Sequence, residues 1–148
     1  CRLILSARAT LTGRSIMDPI AFPGIVTGLA VLLYSLFTMS SGRNRGKHKV
    51  MAPAVTGSEA YERANRVQMN TLEHLAIFLP GMWLYGYSLS YRVAAAIGLA
   101  WIVGRLVYGV AYLRDPASRG PGMIVTLLTE IWLLLGGLYG FAMLLFRA

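Results

Sequence analysis

The chain has 148 residues, 56% of them apolar and only 14% charged, with 14 Lys and Arg against 6 Asp and Glu for a net charge of +8. A soluble domain carries about a quarter of charged residues, so this composition excludes a disordered tail, a collagen and an ordinary soluble enzyme of this length, and the length allows one domain. A basic excess suits either nucleic acid or an anionic membrane surface, and the positions of the charges choose the membrane.

Residues 1–18 form an N-terminal tail that opens on Cys1, carries Arg2, Arg8 and Arg14, and has no acid before Asp18. It reads as a transit-like sequence, a lipid-modified Cys1, or an over-extended start. The last is expected, with Met17-Asp18-Pro19 as the natural beginning of a single membrane domain over residues 19–148.

Four apolar segments follow, each near the ~20 residues that a membrane-crossing helix needs. They run from about residues 22–39, 70–90, 93–113 and 122–146. Buried helices of a soluble bundle would need polar outer faces, and the first and fourth segments have almost none. The expected fold is therefore an all-α membrane protein, an up-down four-helix bundle. Residues 88–92 make a tight turn between antiparallel neighbours. Pro116, Gly120 and Pro121 break the chain before the fourth segment. The link over residues 40–58 is longer and basic.

With four spans, the first and third connections share a side. That side carries Arg43, Arg45, Lys47, Lys49, Arg63, Arg66, Arg114 and Arg119, whereas the other has Arg92, Arg147 and the tail arginines. The basic excess places both loops in the cytoplasm. One cysteine gives no disulfide framework. His48 and His74 are far apart, so no metal site is expected. The basic loop lacks interleaved aromatics for stacking bases, so no nucleic-acid partner is expected either.

Ionisable residues inside a span are costly to bury and mark candidate sites. Here they are Glu73, His74, Arg105 and Glu130. Helical neighbours lie three or four apart, so Arg66, Asn70 and Glu73 form one polar stripe flanked by His74. A guanidinium, an amide and a carboxylate in one column complement a small zwitterion. Internal helix-helix bonding explains such a stripe equally well. Arg105, Tyr108 and Tyr112 share a face of the third span. Arg105 and Glu130 both lie roughly 12 Å deep at 1.5 Å per residue, so they could pair, with Glu73 competing for the same arginine. Both read as structural polar residues. Arg119, at the mouth of the third span, would by default be a positive-inside anchor. Small residues four apart, at Gly24 and Gly28, at Ala96, Ala100 and Gly104, and at Gly136 and Gly140, allow close helix packing.

Two stretches carry a resemblance. Glu62-Arg63-Ala64-Asn65-Arg66-Val67-Gln68-Met69-Asn70-Thr71-Leu72-Glu73, and Gly98-Leu99-Ala100-Trp101-Ile102-Val103-Gly104-Arg105 continuing to Tyr108 and Tyr112, resemble the membrane-associated proteins in eicosanoid and glutathione metabolism, the MAPEG family. The type-three microsomal glutathione S-transferases and their bacterial relatives are most similar, also in the turn Asp115-Pro116-Ala117-Ser118-Arg119. The resemblance covers about residue 24 to the C-terminus. It implies a homotrimer that binds glutathione between subunits near the cytoplasmic side. It implies glutathione contacts from Arg66, Gln68, Asn70 and Glu73, with Tyr108 and Tyr112 lining the site and Arg45 reaching a carboxylate. It also implies that Arg119 stabilises the thiolate. His74 departs from the pattern, since some members have tyrosine there.

The implied activity is a glutathione transferase, with peroxidase activity toward lipid hydroperoxides, acting on a lipophilic substrate drawn from the bilayer. The alternatives are a non-catalytic lipid-binding or scaffold member of the same fold and a small multidrug transporter. The transporter depends on a carboxylate in its first helix, and this first span has no ionisable residue.

Overall fold

The computed structural model describes residues 18–146. The expectations that rest on Cys1, Arg2, Arg8, Arg14, Met17 and Arg147 lie outside the described residues. Among the described residues four long α-helices follow one another, α1 (Ala21–Lys47), α2 (Glu59–Tyr85), α3 (Tyr91–Arg114) and α4 (Gly120–Leu145). A π-helical segment, Gly86–Ser90, joins α2 to α3, and a 3-10 turn, Pro116–Arg119, joins α3 to α4. No strand occurs among the described residues. Among the described residues, helical residues 21–47, 59–114 and 116–145 form three stretches long and apolar enough to cross a membrane. The middle stretch doubles back: Ser90 is extended, at φ −162° and ψ 119°, and α2 and α3 pack against each other.

The helices overrun the apolar segments at both sides of the basic link. α1 continues about two turns past Met39 to Lys47, and α2 begins at Glu59 rather than near Asn70. Hydropathy marks where an apolar solvent would end, but a helix ends only where its backbone finds other partners. At the start of α2 the acids Glu59 and Glu62 face the positive end of the helix dipole, and Glu62 Oε1 accepts the Gly57 N–H at 2.9 Å. At the end of α1, Arg45 and Lys47 complement the negative end. Ser90 Oγ accepts from the Val93 N–H at the start of α3, and Asp115 Oδ1 accepts from Ala117 N–H to set the 3-10 turn.

Arg63, on the first turns of α2, donates from Nη1 to the Arg114 carbonyl at 3.0 Å. The α1–α2 and α3–α4 connections therefore lie at the same end of the bundle. The side-chain distribution is inside-out relative to a soluble protein. Ile25, Leu32, Leu36, Ile77, Leu128, Trp132 and Leu135 are exposed, whereas Arg105, Glu130, Thr71 and Thr126 are buried. An apolar solvent around the bundle explains both halves of that pattern. The apolar core runs through Val26, Ala30, Phe78, Met82, Trp101 and Leu133, with the Phe78 and Trp101 rings stacked at 4.1 Å and 6°.

Small residues set the helix spacing unevenly. A Cβ on Gly122 would lie 2.3 Å from the Tyr108 backbone nitrogen and 2.7 Å from the Gly104 carbonyl oxygen, so α3 and α4 touch backbone to backbone there. Gly136 and Gly140 are filled by Tyr85 and Ser88, while Gly24 and Gly28 meet nothing. Backbone cannot move aside as a side-chain tip can. Gly122→Ala is expected to cost about 1–3 kcal/mol through overpacking, read as a lower thermal midpoint in detergent. Gly42→Ala, on an open part of α1, is expected to leave that midpoint unchanged or slightly raised.

Candidate functional site

Arg105 is fully buried and meets α2 rather than a carboxylate. Its Nη1 and Nη2 donate to Asn70 Oδ1 at 3.1 Å each, and Nη2 also donates to Thr71 Oγ1 at 2.7 Å. The Tyr108 ring covers the guanidinium at 4.2 Å. The expected pairing of Arg105 with Glu130 or Glu73 does not form. Trp101 and Arg105 sit four apart on one face of α3, so the tryptophan, one turn away, reaches Glu130 first. Trp101 Nε1 donates to Glu130 Oε1 at 2.8 Å, and His74 Nδ1 lies 2.9 Å from Glu130 Oε2. His74 thus faces the bundle interior, and two neighbouring polar rungs tie α2 to α3 and α4.

The outward side of the same α2 turns forms a cleft. About 450 Å³ is enclosed by Glu59, Glu62, Arg66, Met69, Glu73 and Tyr112, with Val55, Arg63, Asn65 and Pro116 completing the wall. That volume falls in the range of small-molecule sites, roughly 300–1,000 Å³. Asn70 lies between rung and cleft, its Nδ2 3.4 Å from Glu73 Oε2. Glu73 and Arg66 are exposed. Arg119 stands over the Tyr112 ring at 5.6 Å and donates to the Pro116 carbonyl at 3.1 Å. Its guanidinium is therefore held beside the aromatic wall of the cleft. Arg63, paired with Glu59, contributes no free cation.

The structure thus brings Arg66, Asn70, Glu73, Tyr112 and Arg119 to one end of the α2–α3 seam. Within one chain it does not bring in the other three expected contacts. Arg45 lies on the Tyr61 ring at 4.7 Å and donates to the Tyr61 hydroxyl and, at 3.1 Å, to the Ala54 carbonyl. Gln68 Nε2 donates to the Tyr34 hydroxyl of α1 at 3.0 Å. Tyr108 is buried, with its ring 5.6 Å from that of Tyr112. No group of three or more His, Cys, Asp or Glu able to hold a metal occurs among the described residues.

Residues 23–139 match the MAPEG family. The chain belongs to this family. It is 41% identical over 117 residues to the uncharacterized protein sll1147 of Synechocystis, covering 79% of this chain and 85% of that protein. It is 35% identical to human microsomal glutathione S-transferase 2 over 76% of this chain and 78% of the relative. It is 34% identical to leukotriene C4 synthase of Cavia porcellus over 80% and 78%. With the apolar exterior, family membership makes this chain an integral membrane protein.

Thr71, Trp101 and the inward side of His74 are the parts of this MAPEG site that the sequence reading passed over. Their signal is spacing: Asn70 and His74 are four apart on α2, as Trp101 and Arg105 are on α3. Which donor meets which acceptor depends on the helix register. Glu130→Ala would leave the Trp101 N–H and His74 without their acceptor inside the bundle. It is expected to cost about 3 kcal/mol, seen as a lower thermal midpoint. Glu73→Ala, at an exposed position, is expected to change the midpoint little.

Proposed function

We propose that this MAPEG chain is a membrane-bound glutathione transferase that activates the glutathione thiolate for attack on a lipophilic electrophile. The observation that carries the reading is the cleft lined by Arg66, Glu73 and Tyr112, with the Asn70 amide against Glu73 and Arg119 over the Tyr112 ring. Glutathione has two carboxylates, an ammonium and two peptide groups. Arg66 complements a carboxylate, Glu73 the ammonium and Asn70 a peptide group. Relatives named as a glutathione transferase and as leukotriene C4 synthase support the same reading.

The chemistry requires a thiolate. A free thiol has a pKa of about 8.5, and an adjacent cation lowers it. Lowering it by two units takes about 2.7 kcal/mol of selective thiolate stabilisation. Arg119 supplies the cation. The thiolate sulfur then forms a bond to the electrophilic carbon as a leaving group departs, or as the adduct takes up a proton. The same thiolate accounts for peroxidase activity. Sulfur takes the distal oxygen of a lipid hydroperoxide, the alcohol leaves, and a second glutathione yields the disulfide and water.

The cleft opens to the outside of one chain. A homotrimer of four-span subunits closes it with a neighbour, excludes water from Arg119 and strengthens its field. Arg45 and Gln68, which face Tyr61 and Tyr34 in their own chain, would reach glutathione from across that junction, while Tyr108 supports Tyr112 from behind. The basic links on the cleft side support a cytoplasmic position for it. A lipophilic co-substrate arrives laterally through the bilayer.

Calorimetry on the detergent-purified protein is expected to show glutathione binding, with thiolate absorbance appearing on mixing. Arg119→Ala is expected to abolish the thiolate signal and lower conjugation by about ten- to a hundredfold, the equivalent of one to two pKa units. Full activity in that variant would remove Arg119 from the mechanism. Binding without a thiolate signal in the wild type would favour a non-catalytic lipid-binding or scaffold role.

A further inference from the structure

A guanidinium has only donors to offer. The face that Asn70 turns to Arg105 must therefore be its carbonyl oxygen, which accepts from both Nη1 and Nη2 at 3.1 Å. The Thr71 hydroxyl is fixed in the same sense. It donates to the Val67 carbonyl at 2.6 Å and so meets Arg105 Nη2 as an acceptor. Arg105 itself cannot turn, because it is fully buried with the Tyr108 ring against it. An asparagine amide otherwise exchanges its oxygen and nitrogen ends by a simple flip. Here a flip would set two N–H groups against the N–H groups of a buried cation. The remaining end, the Nδ2 amino group, is consequently held toward Glu73 Oε2 at 3.4 Å, on the cleft side.

We propose that Arg105 is a positioning residue that fixes Asn70 as a hydrogen-bond donor toward the glutathione cleft. The proposal rests on the glutathione reading above and deepens it. At this point the cleft selects a carbonyl or carboxylate oxygen of the ligand and disfavours an N–H. The Asn70 amino group also holds the Glu73 carboxylate in place for an ammonium. Arg105 never touches the ligand. Its influence passes entirely through the Asn70 amide, which distinguishes it from a residue that merely stabilises the bundle.

The test is glutathione titration calorimetry on the full-length protein in detergent, with the thermal midpoint measured in parallel. The variants are Asn70→Ala, Arg105→Met, which has no donor, Arg105→Lys, the double Arg105→Met/Asn70→Ala, and Asn70→Asp. Asn70→Ala and Arg105→Met are each expected to weaken binding about tenfold. The double variant is expected to bind no more weakly than Asn70→Ala alone, because the two residues act through one contact. Arg105→Lys, which keeps a donor against Oδ1, is expected to recover most of the affinity. Asn70→Asp carries the test if Arg105→Met does not fold. Its carboxylate accepts both Arg105 bonds, keeping the thermal midpoint at or above wild type, but it turns an oxygen to Glu73 and weakens binding about tenfold or more.

Wild-type affinity in Arg105→Met, or losses that multiply in the double variant, would overturn the proposal while leaving the glutathione reading intact. Wild-type affinity in Asn70→Asp would do the same. A wild-type protein that does not bind glutathione would overturn both.

Discussion

A guanidinium sealed inside an apolar bundle must find all its acceptors there, because neither lipid nor water can supply one. Arg105 meets that constraint at both Nη groups with Asn70 and Thr71, under the face of Tyr108, and leaves only Nε without a partner. Replacing any of them would leave a buried charge short of partners, which costs more than the interaction itself contributes. The register of α2 against α3 is thereby restricted. A shift of one residue in either helix would turn Asn70 away from the cation. One turn along, Glu130 imposes the same restriction on α4 through His74 and Trp101.

The cleft follows from that register. With Thr71 and His74 committed to the interior, the 3.6-residue period turns Arg66, Met69 and Glu73 outward. Asn70 falls at the edge between the two faces and belongs to both. The cleft opens where α2 has left the apolar zone and extends toward the basic link, so charged residues can stand there without the penalty of burial. The 3-10 turn after α3 then places Arg119 over Tyr112, on the rim of the same space. Two independent parts of the chain supply complementary charges at one place because Arg63 ties the start of α2 to the end of α3.

This division of labour separates stability from chemistry. The inner rungs are committed to their own partners and hold the helices. The outer residues of α2 and the α3–α4 turn are exposed and available. Asn70 connects the two sets, so a change at an interior position can reach the ligand without contacting it. The tight backbone contact at Gly122 belongs to the first set, since it lets α4 come close enough for Glu130 to reach across to α2.

The sequence by itself determined the solvent, the apolar segments, the polar stripe on α2 and the family. Each of these depends on composition or on spacing along one helix, and the 3.6-residue period makes such patterns local. Arg66, Asn70 and Glu73 were legible as one stripe for that reason, whereas Tyr112 and Arg119 joined them only through the family resemblance. The lengths of α1 and α2 were not, because hydropathy marks the edge of the apolar zone while capping and dipole effects end a helix. Nor were the partners of Arg105 and Glu130. Equal depth suggested that they would pair, but depth is one coordinate, and rotation about each helix axis decides which side chains meet. Only the packed bundle fixed that rotation, sending Arg105 to Asn70 and Thr71 and giving Glu130 to His74 and Trp101.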